Sequence, residues 1–214
     1  MSNPAESKAV QKSAEGSGAL LERRYWVEIC QPTKTAEELM EDIQLNLHDY
    51  APDLLADFEK TCGQPDRLRK GDEFHIRILG PWNGEVRVVE VEPLAFELVT
   101  LEDHPEAGRI RFSLTPHEQL PDALHFEIRS HARSRDGLVA FAYDTLGVGK
   151  RMQEVTWRTF CERVAERSGG EKFGDVQVRT ITEDDYQDVP DPEAAVREDH
   201  SGVDAAHPRT TGDV

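Results

Sequence analysis

Apolar and polar residues change their spacing twice along the chain. Tyr25, Val27 and Ile29 alternate with Trp26, Glu28 and Cys30, which predicts a strand ended by Pro32. Thr35-Ala36-Glu37-Glu38 follows as a capping box, and Leu39, Ile43 and Leu47 then recur every four residues, one face of a helix. Pro52 interrupts, and Leu54, Leu55 and Phe58 predict a second short helix that stops by Gly63. From residue 73 the period is two. Phe74, Ile76 and Ile78 oppose His75 and Arg77. Pro81-Trp82-Asn83-Gly84 supplies a turn, and Val86 and Val88 open the next strand. Phe96 and Leu98 follow, then Ile110, Phe112 and Leu114 against Arg109, Arg111 and Ser113, then Leu124, Phe126 and Ile128 against His125, Glu127 and Arg129. Five short-linked strands of this kind predict an antiparallel meander with one dry and one wet face.

Helical spacing then returns. Ser134 or Asp136 is a candidate cap. Phe141 and Leu146 precede Met152, Val155, Trp157, Phe160 and Val164, Gly147 and Gly149 are candidate breaks, and Gly169-Gly170 ends the segment. Asp175–Ile181 carries a late edge-strand pattern through Val176 and Val178.

Composition changes this picture mainly at the ends. Residues 1–19 are small and polar and are expected to be disordered, as is the acidic tail 183–214, which leaves one domain over 20–182. The tail holds ten acidic and two basic residues of a chain whose net charge is −17, so about half the excess is local. A body this acidic suits neither nucleic acid nor an anionic membrane surface as partner. No apolar run is long enough to span a membrane, no secretory signal opens the chain, and Cys30, Cys62 and Cys161 are far apart. A reducing, cytoplasmic setting with free thiols is expected.

The order of elements resembles the helix-grip fold of START and Bet v 1-like proteins: an α+β fold with a curved antiparallel sheet of six or seven strands around a long C-terminal helix, and two short helices after strand 1. A strongly curved sheet cannot press its whole dry face on one helix, so a space is expected between them. Phe96, Thr100-Leu101, His104-Pro105-Glu106, Gly108, Phe112 and Lys150-Arg151-Met152-Gln153 are further similar to the DUF1990 (UPF0548) family. Glu102-Asp103 depart from that family's usual Pro-Gly, and Arg109-Ile110 from its usual acids. The resemblance covers about residues 70–167 and implies a fold rather than a reaction.

Site chemistry is sparse. Asp103-His104-Pro105-Glu106-Ala107-Gly108 has the composition of a hairpin connection before that of an active-site loop. His125 and His131 share a strand face but would stand roughly 20 Å apart, too far to share one ion, so no metal site is expected. Gly147-Val148-Gly149-Lys150 fails both the phosphate-loop and the dinucleotide spacing, and no cofactor is expected. The remaining signal is aromatic. Phe96, Phe112, Phe126, Phe141, Trp157 and Phe160 are plain core or the lining of an apolar pocket, with Arg151 and Gln153 as polar anchors. The favoured expectation is a domain that binds a small apolar or amphipathic molecule between sheet and helix. The alternatives are a cyclase or hydrolase using acid–base groups such as His75, Glu90 and His104, or an interaction module using the tail or a sheet edge.

Overall fold

The computed structural model describes residues 8–51, 56–78, 83–135 and 148–182, with backbone alone for residues 56, 78 and 148–152. Among these residues the elements are β1 (Ser17–Cys30), α1 (Ala36–Leu45), α2 (Leu47–Tyr50), β2 (Ala56–Cys62), β3 (Glu73–Ile78), β4 (Gly84–Glu92), β5 (Ala95–Thr100), β6 (Glu106–Pro116), β7 (Ala123–Ser134), α3 (Val148–Ser168) and β8 (Glu171–Thr182). The eight strands form one antiparallel sheet in the order β2-β3-β4-β5-β6-β7-β1-β8.

The meander β3–β7 lies where the two-residue period placed it, and the capping box is formed. Thr35 Oγ1 accepts from the Glu38 amide (3.2 Å), and the Thr35 amide donates to Glu38 (2.8 Å). β2 and β8 take the sheet's edges; β8 lies where the late edge-strand pattern placed it, and the additional strand β2 brings the count to eight rather than six or seven. β2 occupies the stretch that the pattern assigned to a second helix. Leu54 and Leu55 lie outside the described residues, whereas Phe58 faces inward opposite Ile76 in a strand. The short second helix is instead Leu47–Tyr50. Ser134 is no helix cap but the last residue of β7.

The stretch from Lys8 to Gly16 also differs from expectation. Val10 bridges Leu101, the Gln11 amide donates to the Thr100 carbonyl (2.9 Å), and Gln11 Nε2 donates to the carbonyls of His104 and Glu106 (both 2.9 Å). A polar segment is held here by hydrogen bonds to a hairpin end, which an argument from apolar burial alone does not register.

One sheet face is concave and apolar. Across it run rows set by strand register. Tyr25, Ile128, Phe112 and Phe96 form one row, and Arg23, Ser130, Ile110 and Leu98 the next. α3 packs on β1, β7 and β8 and against α1 and α2. Its C-terminal half clamps α2: Arg163 Nη1 donates to the Asp49 carbonyl (2.9 Å), and the Arg167 guanidinium lies 4.8 Å from the Tyr50 ring centre.

The convex face is a sheet of cross-strand ion pairs. Arg129 grips the buried Glu22 carboxylate through Nε and Nη2 (2.9 Å each), His131 Nε2 lies 2.8 Å from the same group, and Arg87 reaches Glu73 (2.7 Å). His125 Nδ1 stands 2.8 Å from Glu28 and its Nε2 3.7 Å from Glu127. The carboxylates of Glu127 and then Glu28 hold this imidazole above its ordinary 6.5, against burial, which works to lower it. Burial works to raise Glu127, but hydrogen bonds with His125 and Arg24 outweigh it and hold the carboxyl below 4.5. The imidazolium's contribution to stability is complete below pH 6.5 and fades as pH rises through its higher folded value. The carboxylate's contribution is present above pH 4.5 and fades as pH falls through its lower folded value. His125→Gln is therefore expected to lower the urea midpoint clearly at pH 5.5 and much less at pH 9; an equal loss at both would contradict the pairing.

Candidate functional site

The predicted aromatics come together. Phe96 stacks on Phe112 (centroids 4.5 Å, 7° between planes), and Phe112 meets Trp157 edge-on (5.8 Å, 72°). Phe160 contacts Phe112 (5.3 Å), Phe126 (6.0 Å), Trp157 (6.1 Å) and Tyr50 (5.4 Å). Phe96, Phe112, Phe126 and Phe160 are fully buried, so they first of all fix α3 on the concave face. Trp157 is half-buried, yet its indole Nε1 is sealed from solvent and has no hydrogen-bond partner among the described residues. An unpaired buried donor costs about 1–3 kcal/mol. Ile110, on the dry parity of β6, is also only partly buried. Phe141 lies outside the described residues, and Arg151 falls in the first turn of α3, where only backbone is described.

One helical turn before Trp157, Gln153 joins two charged groups that the sequence reading missed. Arg23 Nη1 donates to Glu106 Oε1 (3.2 Å) and to Gln153 Oε1, and Gln153 Nε2 donates to Glu106 Oε2 (3.0 Å). Arg23 is 8% exposed. Both charges were visible in phase: Arg23 shares parity with Tyr25, Val27 and Ile29, and Glu106 with Gly108, Ile110 and Phe112. A charged residue on the dry parity of a strand must find a partner inside. Tyr25, beside this trio, has its phenol pushed up to about 12 by burial, with Arg23 opposing and Glu106 and Glu154 adding to the rise.

His104 sits in the β5–β6 connection, as its loop chemistry indicated. Its Nδ1 accepts from the Glu106 amide (3.0 Å), and burial holds its imidazole below the ordinary histidine range, despite Glu106. The turn thus sets the exit angle of Glu106 into the concave face. Gly108 completes the motif. A Cβ there would overlap the His131 carbonyl and lie 2.7 Å from Ala132 Cα, both backbone. Gly108→Ala is expected to cost about 1–3 kcal/mol, read as a fall in urea midpoint; an unchanged midpoint would contradict this close approach of β6 to β7. The other acid–base candidates do not converge. His75 lies 3.9 Å from Glu85 on the convex face, and Glu90 is held there by Arg111.

A curved antiparallel sheet gripping a C-terminal helix, with charged groups buried where they meet, is the helix-grip architecture. The chain belongs to the family described as Domain of unknown function (DUF1990), whose model matches residues 22–163. No curated protein matches the chain. Among solved structures it is similar to a hypothetical protein, jhp0584, from Helicobacter pylori (9% identity, 68% of this chain and 86% of that one, TM-score 0.49). It is similar also to norcoclaurine synthase from Thalictrum flavum in complex with dopamine and hydroxybenzaldehyde (10%, 78% and 97%, 0.46). A third is a START superfamily protein from Mycobacterium smegmatis (13%, 70% and 99%, 0.43). No helix among the described residues is long and apolar enough to cross a membrane.

Proposed function

We propose that this domain binds a small apolar or amphipathic molecule between the concave face of the sheet and α3, at the end of the helix that carries Gln153 and Trp157. The observation that carries this reading is the Trp157 Nε1, a donor shut away from water with no acceptor among the described residues. Folded chains rarely leave such a group unsatisfied unless another molecule completes it. Trp157 and Ile110, both incompletely covered, supply the apolar contact that ligand sites use. Phe112 and Phe160 form the floor beneath Trp157, and Arg23, Glu106 and Gln153 form a polar rim.

The test is titration with N-phenyl-1-naphthylamine, a neutral dye whose emission rises in apolar surroundings. The reading predicts saturable binding at one site per chain, weakened in Trp157→Ala and unaffected in Phe173→Ser, a change of an exposed β8 residue (62% accessible) remote from the helix–sheet seam. Non-saturable enhancement, or equal binding by Trp157→Ala, would remove its support.

A further inference from the structure

We propose that Gln11 is a positioning residue for this site, and that residues 8–16 are a strap through which the N-terminal part of the chain sets the seam between sheet and helix. This rests on the binding reading above and follows from where Glu106 stands in the sheet. Glu106 opens β6 and pairs with Ser134 of β7 on one side. On the other side β5 ends at Thr100, and its register on β6 runs out at Val99 opposite Arg109. Gln11 takes the place of the neighbour that β5 no longer provides. Its Nε2 donates to the carbonyls of Glu106 and His104 (2.9 Å each), one bond from each of its two protons.

The strap is fixed to the same hairpin end. Val10 bridges Leu101, the Gln11 carbonyl accepts from Thr100 Oγ1 (3.1 Å), and that oxygen in turn accepts from the Gly108 amide (2.9 Å). Arg87 Nη2 donates to the Lys8 carbonyl (2.8 Å), and the Glu102 amide to that of Ala9 (2.9 Å). No residue from Lys8 to Gly16 is buried, so hydrogen bonds rather than apolar cover hold the strap, and it can part from the sheet without unfolding the core. From Glu106 the effect passes inward. The backbone of Glu106 is held by Gln11 and its carboxylate by Gln153 Nε2 (3.0 Å), one turn before Trp157 on α3. If the Glu106 backbone shifts, the anchor of that turn shifts with it. A rim that must be ordered on binding takes its ligand less tightly than one already in place.

Gln44 supplies a matched control, because its Nε2 donates to the Glu92 carbonyl (3.0 Å) from α1, outside the site. Gln11→Ala and Gln44→Ala in the full chain are compared with the parent in three ways. These are titration with N-phenyl-1-naphthylamine, the urea midpoint, and the indole N–H signal of Trp157 in the ligand-free chain, assigned by its loss in Trp157→Phe. Gln11→Ala is expected to bind the dye about threefold to tenfold less tightly, the reach of one hydrogen bond, and to displace the Trp157 signal, while Gln44→Ala does neither. Parental dye affinity in Gln11→Ala, whatever its midpoint, would make Gln11 a brace of the strap alone and overturn the inference while leaving the binding site standing. Equal losses of affinity in both variants would overturn it too. A parent that does not bind the dye saturably would remove the binding reading. The Trp157 signal then decides for Gln11, and one that stays in place in Gln11→Ala would overturn the positioning as well.

Discussion

Phe160→Ala is expected to remove about 3–5 kcal/mol of stability, the range for emptying a fully buried aromatic site. Phe160 contacts four other rings, from α2, β6, β7 and its own helix, so its loss opens the joint where α3 meets everything else. The neighbours cannot easily collapse into the gap. Phe112 is pinned by stacking on Phe96, and Tyr50 is pinned by the hydrogen bond its hydroxyl donates to Asp42 (2.8 Å). The expected loss is a large share of a typical domain's 5–15 kcal/mol. Equilibrium urea unfolding followed by far-ultraviolet circular dichroism measures it. A loss under about 1 kcal/mol would mean that α3 is not held by this ring cluster.

Glu106→Leu is expected to cost about 2–4 kcal/mol, slightly below the range for a fully buried pair because the Glu106 side chain keeps some contact with water. The damage comes from what remains. Arg23 would keep its charge on the concave face with, among the described residues, only the Gln153 oxygen to meet it. The double replacement Arg23→Met with Glu106→Leu is expected to recover most of that loss, since an apolar pair of similar size removes the stranded charge. Unfolding of the parent, both single variants and the double variant yields the coupling between the two positions. Strict additivity would contradict the closed trio. A double variant as stable as the parent would also mark the ion pair as dispensable for folding.

How much of this was legible depended on whether side chains obeyed the period of their strand. β3–β7 were readable because Phe74, Val86, Phe96, Phe112 and Phe126 all fall on the dry parity. β2 was not, because Lys60 occupies an inward position. Its stem lies over the Phe74 ring (ammonium 5.4 Å from the ring centre) while the ammonium reaches Asp72 (2.8 Å), so a polar letter stands where an apolar one is expected. Leu54, Leu55 and Phe58 then looked like a helical face. β8 was readable only from Val176 onward. A register shift near Gly174 (φ 78°) turns Phe173 toward solvent and breaks the alternation.

The site was legible in part for the same reason. The ring cluster could be assembled from apolar period alone, and Gln153 from its place on α3. Arg23 and Glu106 break the dry parity of their strands, and only their partnership, 83 residues apart in sequence, explains them. Nor does any sequence pattern reveal that Trp157 Nε1 is unpaired, because satisfaction of a donor depends on what the fold brings within reach.

The proposed binding beside Trp157 is tested most directly by isotope-filtered nuclear Overhauser spectroscopy of the labelled chain with unlabelled N-phenyl-1-naphthylamine. The account predicts contacts from the dye's protons to the Trp157 indole N–H, the Ile110 methyls and the Phe112 ring. Contacts confined to exposed groups such as Phe173, with none to any residue of the concave face, would contradict it.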